Sequence, residues 1–596
     1  MDRTAALAAI RAFVERGEHL AAYDASSDAL ELWSHDLELQ YLAALTLVRS
    51  GATETASAYL DRFDMEHADA TGASPKLVED IAALRAHIAK DHALAATGEA
   101  RRSHAATAAA LYEDIFTRVQ RPYTCINAAT LWLVGGDRPR AERLASTAAV
   151  LARHGEPETP EDAYWLAATE AEAALIQSDE SAAGDALDRA AHLAPNDRAA
   201  RAVTRSQLRV ICEINDIEEH ILAPLRNPRV IHFCGHRIAR PGQPGRFPAT
   251  FEAAITVAVA DYLAKHDVGF GYGSLASGAD IIVAEQLIAR GAELHVVLPF
   301  NAEEFAQISV DPAGPEWRDR FTQCLHAATT VTYSTDGEYL DDPGLFSHCA
   351  RIAMGDAVIR AAYLDTDVEQ LAIYDGLDTT AHAGTAVDLG VWRASGRRTT
   401  VIDTHSDIAD PPSPAAAPVS ERAVRAMLFA DVAGYSKLTE SQIPAFVNHL
   451  IAPLGDTLVP FHDHIRYRNT WGDAIYIVFD SVSAAADCAL ALQETLRLVD
   501  LPAVGLPAGL GLRIGMHAGP VFELRDPIRD ELNYYGAQVT RAARIEPRTP
   551  VGEVYVTHPF AALSAVDGHD SWSCQYVGRL PAAKDYGIFP MYVLKR

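Results

Sequence analysis

The 596-residue sequence is poor in cysteine: it has seven thiols, an odd number, and no pair at CxxC spacing. This argues against a disulfide framework or a cysteine-built zinc site and points to a reducing compartment, the cytoplasm. Long hydrophobic runs are missing too. No stretch of about 18 apolar residues occurs, so no membrane-spanning helix and no membrane partner are expected. The first segment, MDRTAALAAIRAFVERGEHL, is charged throughout and lacks the apolar core of a secretory leader. Basic residues are outnumbered, 51 against 80 acidic ones, for a net charge of −29. Such a surface repels polyanions and argues against a nucleic-acid partner. Nucleotides remain open, because glycine turns, helix N-termini and metal ions can offset charge locally.

What is present is an ordinary folded composition, 49% hydrophobic and 22% charged. The length predicts about three or four domains. Residues 1–222 are rich in Ala, Leu, Glu and Arg, with apolar residues at helical spacing. Three stretches read as helix, short polar turn, helix, with the turns at SGAT, GGDRP and QSDES. They resemble tetratricopeptide-like repeats, which implies either a groove for a protein or small-molecule partner or a plain helical packing domain. Residues 228–403 alternate short apolar strands (RVIHFCG, ELHVVLPF, RRTTVID) with helices (FEAAITVAVADYLAKH, DIIVAEQLIARG), the pattern of a parallel α/β sheet. Residues 404–420, THSDIADPPSPAAAPVS, read as a Pro-rich linker. Residues 421–596 return to strands, hairpins and helices in α+β order.

In this last segment Asp431 follows the apolar run MLFA, and Asp473 stands in TWGDAIYIVF, a predicted hairpin with WGD at its turn. Two carboxylates that share a site repel unless a cation joins them, and Mg²⁺ needs such oxygens together with substrate phosphates. The turn after Asp431, Val-Ala-Gly-Tyr-Ser, is expected to open a helix whose N–H groups cradle phosphate. Taken together, FADVAGYSKLTE, NTWGDAIYIVF, RIGMHAGPVF and YYGAQVTRAARIE resemble the class III adenylate/guanylate cyclases in order and spacing, from Arg425 to the C-terminus. The resemblance implies an α+β, ferredoxin-like cyclase domain. It implies conversion of a nucleoside triphosphate to a 3′,5′-cyclic nucleotide and pyrophosphate, with head-to-tail homodimers that form active sites at their interface. It also implies roles for individual residues. Asp431, Asp473 and the Val432 carbonyl match the ligands of two Mg²⁺ or Mn²⁺ ions. Gly434, Tyr435 and Ser436 match the phosphate-cradling turn. Arg544 matches the arginine that steadies the α-phosphate in the transition state, and Lys584 the lysine that holds the terminal phosphates.

The sequence also departs from that family. Asn469 stands where adenylate cyclases carry a purine-reading lysine, and Asn533 where they carry an aspartate; the glutamate–cysteine-like pair of guanylate cyclases is absent as well. Two amides each donate and accept, so charge does not fix the base. ATP is the first expected substrate and pyrimidine triphosphates the competing ones. A third departure, Thr540, replaces the transition-state asparagine and leaves a catalytically silent nucleotide binder as the alternative.

The middle segment contains GYGSLASGADIIVAEQLIARGAELHVVLPF and AHAGTAVDLGVWRASGRRTTVID. Both resemble the SLOG superfamily, Rossmann-like domains related to the "lonely guy" proteins. In that family a glycine-rich turn and a GT turn before a helix face a nucleotide. The resemblance puts Gly235, Gly273, Ser274, Ser277, Gly278, Gly384 and Thr385 against such a ligand, with Asp388 in the place of the hydrolase branch's glutamate.

Overall fold

The computed structural model describes residues 2–15, 19–49, 53–62, 74–193, 195, 197–377, 383–405, 422–569, 571–585 and 587–596. Most of the Pro-rich stretch expected as a linker, and most of the SGAT turn, lie outside these residues. The chain forms two compact units, Met1–Asn227 with Ala362–Thr366, and Pro228–Ala361 with Asp367–Arg596.

The first unit is all-helical, as its 3.6-residue periodicity predicts. GGDRP ends one helix and starts the next. Gly136 takes φ 92° at the C-cap of Pro122–Gly135, and the Asp137 side chain accepts from Arg140 N at the start of Arg138–His154. QSDES likewise separates Pro160–Ile176 from Glu180–Leu193. The buried stripe of Arg138–His154 is all alanine, at 141, 145, 148, 149 and 152, which lets helix backbones approach closely. The short return 362–366 is held by charge: Asp365 takes hydrogen bonds from Arg205 Nε and Arg209 Nη2, each at 2.8 Å. Among the described residues, no helix is long and apolar enough to cross a membrane.

The second unit holds two sheets. The first has strands β1 (Arg229–Gly235), β2 (Val268–Gly273), β3 (Glu293–Leu298), β4 (Thr330–Tyr333), β5 (Val368–Ile373) and β6 (Thr399–Ile402), all parallel, in the order β4-β3-β2-β1-β5-β6. The order reverses between β1 and β5, and a crevice at the strand C-termini is expected there. The second sheet is mixed: β7 (Arg422–Ala433), β8 (Ile465–Trp471), β9 (Ala474–Phe479), β10 (Gly511–Asp526), β11 (Glu531–Tyr535), β12 (Val554–Thr557), β13 (Ser573–Pro581) and β14 (Ile588–Lys595), in the order β13-β14-β12-β10-β7-β9-β8 with β11 paired to β10.

One hydrophobic core runs through both parts of this unit. Val297, Cys349, Ile352 and Ala353 of the α/β part pack with Leu428, Ile514, Phe560 and Ala562 of the C-terminal part. The helix Gly344–Tyr363 comes so close to His558–Asp567 that a Cβ on Gly355 would lie 2.0 Å from the Ala562 carbonyl oxygen.

Candidate functional site

Asp431 and Asp473 reach one place from two backbone features. Asp431 lies inside β7, not past its end as the sequence suggests. Asp473 is the second residue of the two-residue β8–β9 turn, across which Trp471 pairs with Ala474. Gly472, the first, takes φ 68°, the left-handed region such a tight turn requires. Burial, with the neighbouring Asp431 carboxylate adding to it, raises the Asp473 pKa above the usual carboxylate range.

Facing Asp431 in register on β10 is Arg513, whose Nη2 donates to Asp431 Oδ2 at 2.6 Å. Its Nε lies 3.3 Å from Glu546 Oε1, an ion pair without hydrogen-bond alignment. Burial pushes Glu546 up to about 7; Arg513 opposes this, and Asp431 and Asp473 reinforce it. Arg513 and Glu546 are not among the residues the sequence singles out, although Arg513 opens RIGMHAGPVF and Glu546 closes RAARIE. Strand pairing brings Arg513 to Asp431, and pairing is not legible in either motif alone. Adjoining carboxylates balanced by one guanidinium form an oxygen-rich, acidic site that fits a hard divalent cation. Among the described residues no cage of three or more His, Cys, Asp or Glu side chains forms. Mg²⁺ does not need one, since it takes one or two carboxylates and completes its shell with water and phosphate.

Val432 is buried beside Asp431 and pairs with Leu512. Gly434 takes φ 93°, and after it Tyr435–Lys437 makes one 3₁₀ turn. This corrects the expected helix: helical structure resumes only at 440–442 and 443–457, so no long helix aims its N-terminus from the 434–436 turn. The Tyr435 ring instead covers the other turn, its hydroxyl 3.7 Å from where a Gly472 Cβ would stand, and Ser436 is exposed. Thr540 and Arg544 are one turn apart on the helix Ala537–Ile545, Thr540 exposed and Arg544 half-buried. Lys584 is exposed between β13 and β14 at φ 60°.

The asparagines are not brought together as a free base-reading pair. Asn533 Nδ2 donates to Asp526 Oδ2 at 3.0 Å and its Oδ1 accepts from Tyr534 N, while Asn469 Oδ1 accepts from Thr470 N. Short polar side chains satisfy themselves on nearby backbone and turn groups.

A second candidate site lies in the crevice between β1 and β5, a cavity of about 400 Å³. Gly235, Ser274, Gly384 and Thr385 line it; Gly273, Ser277 and Gly278 do not. Gly273 ends β2, where a Cβ would lie 2.6 Å from the Phe233 ring, Gly278 at φ 102° approaches the 236–238 backbone, and Ser277 N donates to Ser309 O. Gly235 is fixed by close approach, since a Cβ would lie 2.3 Å from that of Ala279. The helices Ala279–Arg290 and Thr385–Ala394 both begin at this crevice. Two acids line it. Asp280 is pushed up to about 7 by burial, partly offset by the Ala276 and Gly235 N–H groups; Asp388 is pushed up to about 8 by burial and then by Asp280. Arg246 at the mouth forks onto Asp375, at 2.7 and 2.5 Å, and His236 Nε2 lies 3.0 Å from the same carboxylate.

The helical unit has its own cavity, about 450 Å³, between Tyr123 and Trp165. Asn127, Gln207 and Glu172 are among the residues that line it. Lys90 Nζ donates to Asn127 Oδ1 at 2.7 Å, and Gln207 Nε2 to Glu172 Oε1 at 2.6 Å.

Residues 420–583 match the adenylate and guanylate cyclase catalytic domain family, and residues 18–132 the Tetratricopeptide Repeats-Sensor family. A putative adenylate cyclase 3 of Rhizobium meliloti is 30% identical over 141 residues, which are 23% of this chain and 22% of that protein. An adenylate cyclase of Mycosarcoma maydis is 35% identical over 102 residues, 14% of this chain and 4% of that protein. The chain thus spans less than a quarter of either relative. Among solved structures, the adenylyl cyclase CyaB from P. aeruginosa is 18% identical with a TM-score of 0.26, covering 29% of this chain and 95% of that one. The guanylate cyclase domain of RhGC from Catenaria anguillulae, in complex with GTP, is 19% identical with a TM-score of 0.25, covering 29% and 96%. The chain therefore carries a C-terminal adenylate and guanylate cyclase catalytic domain, with tetratricopeptide-type sensor repeats upstream of it.

Proposed function

We propose that the C-terminal domain converts a nucleoside triphosphate, ATP first, into its 3′,5′-cyclic nucleotide and pyrophosphate by a two-metal in-line displacement, and that the upstream domains tune this output. The observation that carries the reading is the meeting of Asp431 and Asp473 on β7 and the β8–β9 turn. Held by these carboxylates and the Val432 carbonyl, two Mg²⁺ or Mn²⁺ ions would supply Lewis-acid activation of the ribose 3′-hydroxyl and neutralise triphosphate charge. The 3′-oxygen bonds to the α-phosphorus, the bond from that phosphorus to the α–β bridging oxygen breaks, and the hydroxyl proton leaves to solvent. Arg544 forks onto the α-phosphate oxygens as charge builds, and Thr540 donates its hydroxyl beside it. Gly434, Tyr435, Ser436 and Lys584 serve the outer phosphates, and two chains pair through their cyclase domains.

Purified protein incubated with each of the four NTPs and Mg²⁺ or Mn²⁺, with products identified by mass spectrometry, tests this. Wild type yields a cyclic nucleotide and pyrophosphate; Asp431→Ala and Asp473→Ala yield none. Equal product from those variants excludes the carboxylate assignment. The engagement of Asn533 with Asp526 supports a loosely read base, so a pyrimidine triphosphate is the second substrate class. Thr540 in place of asparagine supports the alternative of a silent nucleotide-binding scaffold, in which no NTP is turned over. For the α/β part we propose nucleotide sensing in the β1/β5 crevice, supported by the two helix starts that converge there.

A further inference from the structure

The crevice between β1 and β5 is built to receive hydrogen-bond donors as well as an anion. Asp280 is buried; its Oδ2 accepts from Ala276 N at 3.1 Å, the Gly235 N–H also faces the carboxyl, and its Oδ1 makes no aligned hydrogen bond. The Ser274 hydroxyl on the same lining is likewise unpartnered. Unmade hydrogen bonds on buried oxygens are costly, so a ligand hydroxyl that reached them would be well held. The starts of two helices of ten or more residues supply the positive potential for a phosphate. Phe233, Phe305 and Phe346 give the wall an apolar face. A phosphorylated, hydroxyl-bearing ligand of mononucleotide size satisfies all three features.

The same wall is tied to the cyclase domain. Tyr339 and Phe346 line the cavity and pack on each other and on Phe300, with ring centroids 5.2 to 5.6 Å apart. Tyr339 belongs to the loop after β4, whose earlier residues grip the Ala537–Ile545 helix. Asp336 ion-pairs with Arg541, and Gln538 Nε2 donates to Thr335 Oγ1 at 3.4 Å. Gln538 is pinned from its other side by His517, Nε2 to Oε1 at 2.7 Å, and His517 Nδ1 lies 2.7 Å from Thr557 Oγ1. An amide oxygen only accepts, so His517 carries its proton on Nε2 and accepts from Thr557. The result is one directed, buried chain, Thr557 to His517 to Gln538 to Thr335. The loop's later residues hold the start of β7: Arg422 donates to the Glu338 and Tyr339 carbonyls at 3.1 and 2.7 Å and pairs with Asp342 at 3.0 Å.

We propose that this cavity is an effector site for a phosphorylated, hydroxyl-bearing ligand and that the loop 334–342 transmits its occupancy to the helix bearing Thr540 and Arg544. Ligand against Tyr339 and Phe346 shifts the loop, and Thr335 and Asp336 carry the shift to Gln538 and Arg541. The coupling rests on the nucleotide-sensing reading above, and the test separates the two. The full chain is mixed with AMP, which lacks the pyrophosphate a cyclase must expel, and hydrogen exchange is followed in wild type and in a Thr335→Val/Asp336→Ala variant. The expected result is that AMP protects 279–290 and 385–394 in both proteins and alters exchange in 537–545 only in wild type. Protection of the cavity segments with no response at 537–545, or with the same response in both proteins, overturns the coupling and leaves nucleotide sensing standing. Absence of cavity protection with AMP, CMP, GMP and UMP alike overturns nucleotide sensing, and the coupling with it.

Discussion

In the proposed mechanism, Thr540 is the residue on which turnover depends most closely. Its hydroxyl is shorter than the asparagine amide it replaces in the resemblance to class III cyclases, so under that mechanism it would be a weaker donor at the α-phosphate. Thr540→Val removes that donor, and kcat is expected to fall by ~10²–10³, the usual worth of one preorganised donor, with KM little changed. An unchanged kcat would take Thr540 out of the mechanism. Asp280 and Asp388 make a different prediction. Burial raises both, to about 7 and about 8, so the folded chain keeps protons that the unfolded chain releases from about pH 4 upward. Their contribution to stability is full below about pH 4 and is lost as pH rises through 7 and 8, at about 1.4 kcal/mol per pH unit for each proton. Asp388→Asn should flatten that fall, read as the difference in thermal midpoint between pH 5 and pH 8. A wild-type and variant difference that does not change with pH would refute it. Single residues of this kind were unevenly legible. Asp431 and Asp473 stood out because each sits in a short motif that carries its own chemistry. Arg513, Asp280 and the engaged side chain of Asn533 did not, because their importance comes from what strand pairing and burial place beside them.

At the scale of elements, the parallel sheet and the β8–β9 hairpin followed from apolar runs and from WGD at the turn. The segment after Gly434 did not. FVNHLIAPL has helical spacing, yet 447–451 winds as a π-helix between two α-helical pieces. Pro453 has no N–H to return to the His449 carbonyl, so regular α-helical bonding breaks there, and periodicity is blind to a missing donor. Another element is held by a donor from outside. Arg397 gives hydrogen bonds to the Ala565 and Val566 carbonyls, at 2.7 and 2.8 Å, in the last turn of His558–Asp567, where carbonyls lack helical partners. Arg397→Ala is expected to cost about 1–3 kcal/mol, seen as faster hydrogen exchange over 558–567. Exchange unaltered there would mean that water replaces the guanidinium without loss.

At the scale of the whole molecule, the order of helical, α/β and α+β regions was visible as shifts in composition and periodicity. The intimacy of the last two was not, because a Pro-rich stretch between them reads as a spacer and says nothing about what packs beyond it. If the cyclase domains pair so that each site borrows from both chains, Asp431→Ala and Arg544→Ala chains, each inactive alone, should regain part of the activity when mixed. Activity that stays absent in verified mixed dimers would argue for a site complete within one chain.

The core that Cys349, Ile352 and Ala353 share with Phe560 and Ala562 has a practical consequence. Cutting the polypeptide just before Arg422, the obvious place to excise a catalytic fragment, would strip that fragment of its apolar cover and strand the Arg422 guanidinium without its carbonyl partners. Such a fragment should be prone to clump in dilute buffer, and the C-terminal domain is better handled with the middle portion attached.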